Sequence, residues 1–326
     1  MEKFFIIFFI SIVINELIFR MRLLPSFSGD LHQKFSSIKS VPLSGGVILL
    51  IFFTYFFFKN NELIYICFFF IFILGILSDL KKIISANKRF LLQIIICVIL
   101  SIFGELEITS TRIDIFDKII SNKIINIFFV TFCILVVING SNFIDGLNTL
   151  ALGYFFLIIC FLHFLKFELV FDSISLIYVF LTLIILNLSN RLFLGDNGSY
   201  VIGLLFSYLL IKLHISNEII SPYFIVLLLW YPAIEILFSI IRKVLKNKSP
   251  MSPDNAHLHQ LVFKNLNKKL NKKFLSNIIT ALIFNLYNLI IFLIGSNFFN
   301  HTSILISLII FNIFVYLSSY YIFKKI

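Results

Sequence analysis

Long apolar runs separated by short polar segments dominate the pattern of hydrophobic and polar positions along this chain. Eleven runs, rich in Leu, Ile and Phe, are long enough to cross about 30 Å of hydrocarbon at about 1.5 Å per residue. They lie at residues 4–19, 43–58, 63–78, 90–104, 124–139, 150–165, 169–187, 199–213, 223–241, 275–295 and 303–322. The apolar positions are continuous rather than alternating, which excludes a membrane β-barrel. The pattern predicts an all-α, polytopic membrane protein with about eleven spanning helices, ten being the alternative.

Composition supports this prediction. Of the 326 residues, 60% are hydrophobic and only 13% are charged, and the mean hydropathy is +1.04. Soluble domains contain nearer half apolar residues. The runs account for most of the length, so we expect one membrane domain over residues 1–326. The four cysteines fall inside apolar runs and are expected to be unpaired. The first run lacks a small-residue cleavage site and is expected to be a retained helix.

The charges predict an orientation. Basic residues near helix ends collect on the cytoplasmic side. An outside N-terminus places 20 of the 27 Lys and Arg residues there, together with the C-terminus. The cytoplasmic segments are then about 20–42, 79–89, 139–149, 188–198 and 242–274. We expect a plasma (inner) membrane protein whose basic face also meets anionic lipid.

Only five of the 16 carboxylates are cytoplasmic in this orientation: Asp30, Asp79, Asp145, Asp196 and Asp254. Four of them lie in the stretches that are dense in Gly, Asn, Ser and Pro. Isolated aspartates in a basic field indicate a metal ion and a polyanionic substrate.

The segment from Phe193 to Ser199 is predicted to open a helix. Gly195 and Gly198 allow a tight turn, the helix N-terminus favours anions, and Asp196 is an oxygen ligand suited to Mg²⁺. A loop capped by Asp and Ser is the alternative.

A second segment contains Asn139, Asn142 and Asp145, followed by Gly146. Their spacing of three places them on one helix face, where they could converge on one ion or ligand. The alternative is that Asn and Gly simply end the helix.

Three further stretches are weaker alone. Asp79 lies among lysines, and this pattern alone predicts a solvated helix end with an ion pair. His257 and His259 lack the further ligands of a zinc site but could contact a sugar or a phosphate. Residues 42–46 (PLSGG) form a rigid turn that admits close approach of another backbone or of a ligand.

In order along the chain, these stretches resemble the polyprenyl-phosphate N-acetylhexosamine-1-phosphate transferase family, which includes the phospho-N-acetylmuramoyl-pentapeptide transferase of peptidoglycan synthesis. The matching residues, within about 39–262, are Pro42-x-x-Gly45-Gly46, Asp79, Asn142-x-x-Asp145-Gly146, Gly195-Asp196-x-Gly198-Ser199 and His257-x-His259. The resemblance implies transfer of N-acetylhexosamine 1-phosphate from a UDP-sugar to undecaprenyl or another polyprenyl phosphate, with release of UMP. It also implies a Mg²⁺-dependent cytoplasmic site, with Mn²⁺ as an alternative, and the first membrane step of a cell-envelope glycan such as O-antigen.

Residue roles follow from the same resemblance. Asp196 is implied as the main metal ligand with Asn142 as the second, and Asp79, Asp145 and Asp196 as catalytic. Phe193 is implied to stack on uracil, and Lys82 and Arg89 to hold phosphates. The full set of expected substrate contacts is Lys39, Lys82, Arg89, Asn139, Asn187, Arg191, Phe193, Gly198, Ser199, His257 and His259.

Three positions depart from the family pattern. Ser78 stands where the family usually has the first of two adjacent acids, which favours direct attack by the lipid phosphate over a covalent aspartyl intermediate. His257-Leu-His259-Gln260 lacks the histidine run of the pentapeptide enzyme, which favours a simple UDP-N-acetylhexosamine. Asn148 occupies a place where relatives often carry a second Asp. Glu235, inside an apolar run, is a secondary candidate, with pairing to a basic helix end as the simpler account.

Three alternative functions remain: the phospho-N-acetylmuramoyl-pentapeptide transferase, a lipid or solute transporter, and a family member without turnover. No internal repeat supports a transporter, and the aspartates cluster on one side rather than at the membrane midplane. A homodimer would be compatible with the family, and no nucleic acid partner is expected.

Overall fold

The computed structural model describes residues 2–26, 41–57, 62–83, 85–250 and 255–325. Its regular elements are helices, and Pro25 and Pro42 pair as an isolated antiparallel bridge. The helices are α1 (Glu2–Arg20), α2 (Gly45–Phe57), α3 (Glu62–Asp79), α4 (Ala86–Phe103), α5 (Asp114–Ile120), α6 (Lys123–Ile144), α7 (Leu150–Phe164), α8 (Ser173–Leu188), α9 (Gly195–Ser216), α10 (Pro222–Leu228), α11 (Trp230–Val244), α12 (Leu258–Leu270), α13 (Lys273–Ser296) and α14 (Thr302–Lys325). The all-α prediction is confirmed.

Each of the eleven apolar runs overlaps a helix, but the count of eleven spans is not confirmed. Within the described ranges, six helices are long and apolar enough to cross a membrane: α3, α4, α6, α9, α13 and α14. The broken pair α10 and α11 makes a seventh if it is one span. The chain is a membrane protein, and α2, α7 and α8 are shorter apolar helices.

The break in the ninth run has a local cause. The axes of α10 and α11 meet at 75°, and Pro232 lies in the first turn of α11. Proline has no N–H, so the carbonyl of Leu228 loses its helical donor. The hydroxyl of Tyr154 donates to that carbonyl at 2.7 Å instead. A neighbouring helix therefore satisfies the backbone group that the proline leaves open.

Two helices were not predicted. The helix α5 has seven residues, too few to register as a membrane-length run. The helix α12 lies inside the basic segment 242–274, where Lys264, Lys268 and Lys269 lower the mean hydropathy. Its buried positions include Leu258, Val262 and Phe263. A search for long apolar runs misses such an amphipathic helix.

The helix α9 is the centre of the bundle, since most of its residues are buried. Gly75 of α3 allows the first turn of α9 to come close, because a Cβ at that glycine would lie 2.3 Å from the Cα of Asn197. Gly46 of α2 meets the backbone of the same residue. The expectation that residues 42–46 admit close approach of another backbone is confirmed.

The helix ends gather into two groups. At one end, the start of α9 contacts the ends of α3 and α6 and the start of α4. At the other end, the guanidinium of Arg112 donates to the carbonyls of Asn300 at 2.8 Å and Ile219 at 2.9 Å. The predicted polar segments of the first group are therefore brought together at one end of the bundle.

We expect Gly75→Ala to destabilise the protein by about 1–3 kcal/mol, since the new methyl group meets backbone atoms that cannot rotate away. Gly295→Ala is the matched control, because its Cβ would meet the end of the Leu227 side chain, which can turn aside. Thermal unfolding in detergent, followed with a thiol-reactive dye on the buried Cys67 and Cys97, measures both. Equal melting temperatures for the two variants would contradict this packing account.

Candidate active site

The first turn of α9 is held by a carboxylate from another helix. Asp79, the last residue of α3, accepts the backbone N–H of Asp196 at 2.9 Å and that of Asn197 at 3.0 Å. The side-chain amide of Asn197 also donates to it, at 2.5 Å. The first N–H groups of a helix have no partner within the helix. Asp79 thus caps α9 from outside, as an N-cap residue would.

Asp145 approaches the same helix start from the end of α6. The backbone N–H of Gly195 hydrogen-bonds to its carboxylate. Gly195 has φ +71°, a conformation that other residues adopt only with strain. Burial raises the pKa of Asp145 well above its ordinary value, and the charges of Asp196 and Asp79 raise it further. Burial and the neighbouring carboxylates therefore both oppose the ionisation of Asp145.

Asp196 is partly exposed at this site, with 24% of its side chain accessible. The amide of Asn142 donates to its Oδ1 at 2.6 Å. Arg89 donates to its Oδ2 at 3.3 Å and also contacts the hydroxyl of Ser78, which itself donates to Oδ2. The hydroxyl of Tyr200 is 3.4 Å from the same oxygen. The predicted metal ligands Asp196 and Asn142 therefore lie side by side.

The charge balance of this cluster favours a cation. Three carboxylates meet at one helix start, and Arg89 is the cation paired with Asp196 there. Within the described ranges, no three His, Cys, Asp or Glu side chains are arranged to hold a metal ion. Mg²⁺ commonly takes one or two protein carboxylates and completes its shell with water and substrate phosphates. The carboxylate of Asp196 and the amide of Asn142 fit that requirement.

Several predicted substrate contacts are instead used within the fold. Asn139 donates to Gln93 of α4 at 2.9 Å, away from Asp196. Asn187 donates to the carbonyl of Leu192 and accepts the N–H of Thr149, so it fastens two connecting segments together. Their roles in substrate binding stay predictions.

Phe193 is buried against Ile18, Leu24, Val41 and Leu43. In this structure its ring is covered by apolar side chains, and the stacking on uracil stays a prediction.

The remaining predicted contacts fall into three groups. Gly198 and Ser199 are buried in the first turn of α9, where Ser199 accepts from Asn142 at 3.0 Å. Lys82 and Arg191 are exposed, and their contacts with substrate stay predictions. Lys39 lies outside the described residues.

His257 and His259 meet Glu235 of α11. His257 Nδ1 is 2.9 Å from one carboxylate oxygen, and His259 Nδ1 is 3.5 Å from the other. The expected pairing of Glu235 with a basic helix end is replaced by pairing with the two histidines. An ionisable residue inside an apolar run was the signal that pointed to it.

Sequence reasoning did not select Asn197 or Tyr200. Asn197 is the variable position of the Gly195-Asp196-x-Gly198 motif, and Tyr200 follows that motif. Asn197 contacts Asp79 because α3 and α9 pack together. Tyr200 lies one helical turn after Asp196 on α9, so its spacing of four residues was the signal that could have found it. Ser78, treated as a missing acid, is a hydrogen-bond partner of Asp196.

An apolar cavity of about 250 Å³ lies between α6, α9, α10 and α11. Its lining includes Val137, Ile211, Val226, Ala233 and Leu237. Val137 precedes Asn142 by five residues, which is about 8 Å along the axis of α6. The cavity extends from this point on α6 toward Thr111 and His214 at the other end of the bundle.

Comparison with known proteins connects this site to a family. Residues 61–214 match the model of glycosyl transferase family 4. A probable undecaprenyl-phosphate N-acetylglucosaminyl 1-phosphate transferase of Bacillus subtilis is 29% identical over 204 residues, 59% of this chain and 55% of the relative. An undecaprenyl-phosphate alpha-N-acetylglucosaminyl 1-phosphate transferase of Thermotoga maritima is 28% identical over 220 residues, 67% of each chain. A protein of the latter name from Escherichia coli K12 is 26% identical over 209 residues.

The aligned part spans about half to two thirds of the length of these relatives. The matched segment 61–214 contains all three aspartates that meet at the start of α9, together with Asn142. In the matched segment, in these relatives and in the shared motifs, the chain is similar to glycosyl transferase family 4.

Proposed function

We propose that this protein transfers N-acetylhexosamine 1-phosphate from a UDP-sugar to undecaprenyl phosphate or a similar polyprenyl phosphate, releasing UMP. The observation that carries the proposal is the convergence of Asp79, Asp145 and Asp196 at the start of α9, all from the family segment. The names of the relatives favour N-acetylglucosamine as the sugar. The short histidine motif favours a simple UDP-sugar over the pentapeptide-bearing one.

Recognition of the diphosphate would depend on cations. A helix N-terminus can bind phosphate through its free N–H groups. Here Asp79 and Asp145 already occupy those of Gly195, Asp196 and Asn197. A diphosphate would also be repelled by three nearby carboxylates. Arg89, whose guanidinium offers several donors, is therefore the protein group best placed to bind a phosphate oxygen.

Asp196 and Asn142 would hold Mg²⁺, with Mn²⁺ as an alternative. Bound there, the ion would neutralise negative charge on the diphosphate and on the departing UMP. Asp79 keeps the first turn of α9 in place, and Asn142 orients the Asp196 carboxylate. Ser78 and Arg89 fix the other oxygen of that carboxylate.

Attack by the acceptor needs no protein base. The second pKa of a phosphate monoester is about 6, so the lipid phosphate is largely a dianion at pH 7. One of its oxygens would attack the sugar-bearing phosphorus in line while the bond to the UMP oxygen breaks. This agrees with Ser78 in place of an acid.

The isoprenoid chain of the acceptor would lie in the apolar cavity between α6, α9, α10 and α11. The cavity lining is almost wholly apolar, as a hydrocarbon ligand requires. We further propose a plasma (inner) membrane location with the aspartates on the cytoplasmic side, where nucleotide sugars are found.

UMP release tests the proposal. Purified protein with Mg²⁺, undecaprenyl phosphate and a panel of UDP-N-acetylhexosamines should release UMP only when both substrates are present. No release with any sugar of the panel would overturn the transferase assignment and favour a family member without turnover.

We expect Asp196→Asn to lower the rate of UMP release by more than about 100-fold, because the substitution removes the charge that would hold the metal. Asp172→Asn is the matched control, since Asp172 caps α8 at the opposite end of the bundle. Unchanged activity of Asp196→Asn would show that the metal assignment is wrong.

We expect Ser78→Asp not to raise the rate of UMP release, because the acceptor phosphate is already ionised and the new carboxylate would lie against that of Asp196. Ser78→Ala removes the hydrogen bond to Asp196 without adding charge, and so separates the two effects. A rise of about tenfold or more in Ser78→Asp would show that this chain is impaired by the missing acid.

We expect Ala233→Phe to raise the KM for undecaprenyl phosphate about tenfold, because the ring fills the cavity, and to leave the KM for the UDP-sugar nearly unchanged. Ile241→Phe is the control on the same helix, since Ile241 is 55% exposed and does not line the cavity. If both variants behave like wild type in steady-state kinetics, the acceptor chain lies elsewhere.

A further inference from the structure

The two carboxylate oxygens of Asp196 have unequal surroundings. Oδ2 accepts the hydroxyl of Ser78, and it lies 3.3 Å from Nη1 of Arg89 and 3.4 Å from the hydroxyl of Tyr200. Oδ1 accepts the amide of Asn142 at 2.6 Å. Each carboxylate oxygen offers about two lone-pair sites, so the donors around Oδ2 leave no room there for a metal ion. Oδ1 is therefore the oxygen through which Asp196 would bind one.

Few protein ligands accompany that oxygen. Asp79 and Asp145 accept the backbone N–H groups at the start of α9. The amide nitrogen of Asn142 donates to Asp196 and to Ser199, so its neutral oxygen is what the side chain offers a cation. In the part of the chain that the structure describes, no three His, Cys, Asp or Glu side chains surround a common point. Mg²⁺ bound to one protein carboxylate depends on water and phosphate oxygens for the rest of its shell.

Arg89 already supplies a positive charge at this carboxylate. Its guanidinium is paired with Asp196, and its side chain is only 27% exposed, so water screens the charge only in part. A divalent cation at Oδ1 and a guanidinium at Oδ2 repel each other. A carboxylate at position 78 would offset this repulsion, but the hydroxyl of Ser78 is neutral and links Arg89 to Asp196. The cluster is therefore a weak site for a divalent cation alone.

A diphosphate changes both terms of this balance. Its oxygens are anionic ligands for the cation, and they give the guanidinium of Arg89 a second anionic partner. A diphosphate alone is repelled by the three carboxylates, and a bound cation offsets that repulsion. Each ligand therefore favours binding of the other, and such coupling is reciprocal.

We propose, resting on the proposed function, that Ser78 and Arg89 make metal binding at Asp196 dependent on the nucleotide sugar. The affinity of the site for Mg²⁺ or Mn²⁺ is low in the absence of the UDP-sugar and about 30-fold higher or more in its presence. Ser78 then sets this dependence and is more than the place of a lost acid. The site takes up a metal ion together with the UDP-sugar and stays without one between turnovers.

Binding of Mn²⁺ tests the proposal without turnover, because undecaprenyl phosphate is left out. EPR measures the free ion in solutions of purified protein in detergent, with and without UDP-N-acetylglucosamine, and with UDP as a second probe of the diphosphate. Samples of nucleotide without protein correct for the complex that forms in solution. The Kd for Mn²⁺ should fall about 30-fold or more when nucleotide is present.

The reciprocal measurement uses equilibrium dialysis. The Kd for UDP-N-acetylglucosamine should fall with Mn²⁺ by the factor that EPR gives for the metal. Equal affinity for Mn²⁺ with and without both nucleotides would overturn the proposal even if UMP is released normally. Strong coupling without UMP release from any sugar of the panel would uphold the proposal and reject the transferase function.

Ser78→Asp tests the first residue. The substitution offers the cation a second carboxylate, so the Kd for Mn²⁺ without nucleotide should fall about tenfold. Ser78→Asn, which has nearly the same size and no charge, is the matched control and should bind Mn²⁺ as weakly as the wild type. Equal Kd values for the two variants would show that charge at position 78 does not set the dependence.

Arg89→Gln tests the second residue. Without the guanidinium, Mn²⁺ alone should bind about tenfold more tightly, and nucleotide should increase that affinity by less than in the wild type. Lys88→Gln removes the same charge from an exposed neighbour on α4 and should change the Kd by less than about twofold. Equal effects of the two variants would overturn the role of the Arg89–Asp196 pair. If Arg89→Gln does not fold, the wild-type titrations and the Ser78 variants still decide the proposal.

Discussion

The capping of α9 by carboxylates from two other helices is the interaction on which the site depends. Asp79 of α3 and Asp145 at the end of α6 together bind the N–H groups of three consecutive residues, Gly195 to Asn197. The unpaired N–H groups of a helix start carry partial positive charge, which stabilises the two carboxylates. In return, the carboxylates fix the position of Asp196, the one aspartate of the three whose oxygens face side chains rather than backbone amides.

The three aspartates have different roles in this arrangement, although the sequence alone does not distinguish them. Asp79 and Asp145 hold the backbone, whereas Asp196 presents a carboxylate beside Asn142 and Arg89. Ser78 links the end of α3 to the same carboxylate as a neutral donor. Close approach of α3 to α9 at Gly75 makes these contacts possible. The chemistry proposed for the site therefore rests on the packing of α3, α6 and α9.

The sequence was sufficient to predict the helical membrane fold and the segments that form the site. Continuous apolar runs predict helices directly. Few carboxylates are expected on the cytoplasmic side, and this scarcity singled out Asp79, Asp145 and Asp196. What each of these carboxylates binds depends on neighbours distant in the chain, and spacing along one helix does not contain that information. Asn139 illustrates this, because it shares a helix face with Asn142 yet binds Gln93 of α4. The helix α12 was missed for a different reason, since Lys264, Lys268 and Lys269 lower the mean hydropathy of a helix that has an apolar face.

The most direct test of the central claim is a crystal structure of the protein with a UDP-N-acetylhexosamine and Mn²⁺, in which anomalous scattering locates the metal. We expect one Mn²⁺ peak in contact with the carboxylate of Asp196, with Asp79 still bound to the backbone of α9. A metal and diphosphate bound away from Asp196, or coordinated by Asp79 after it has released α9, would contradict the account.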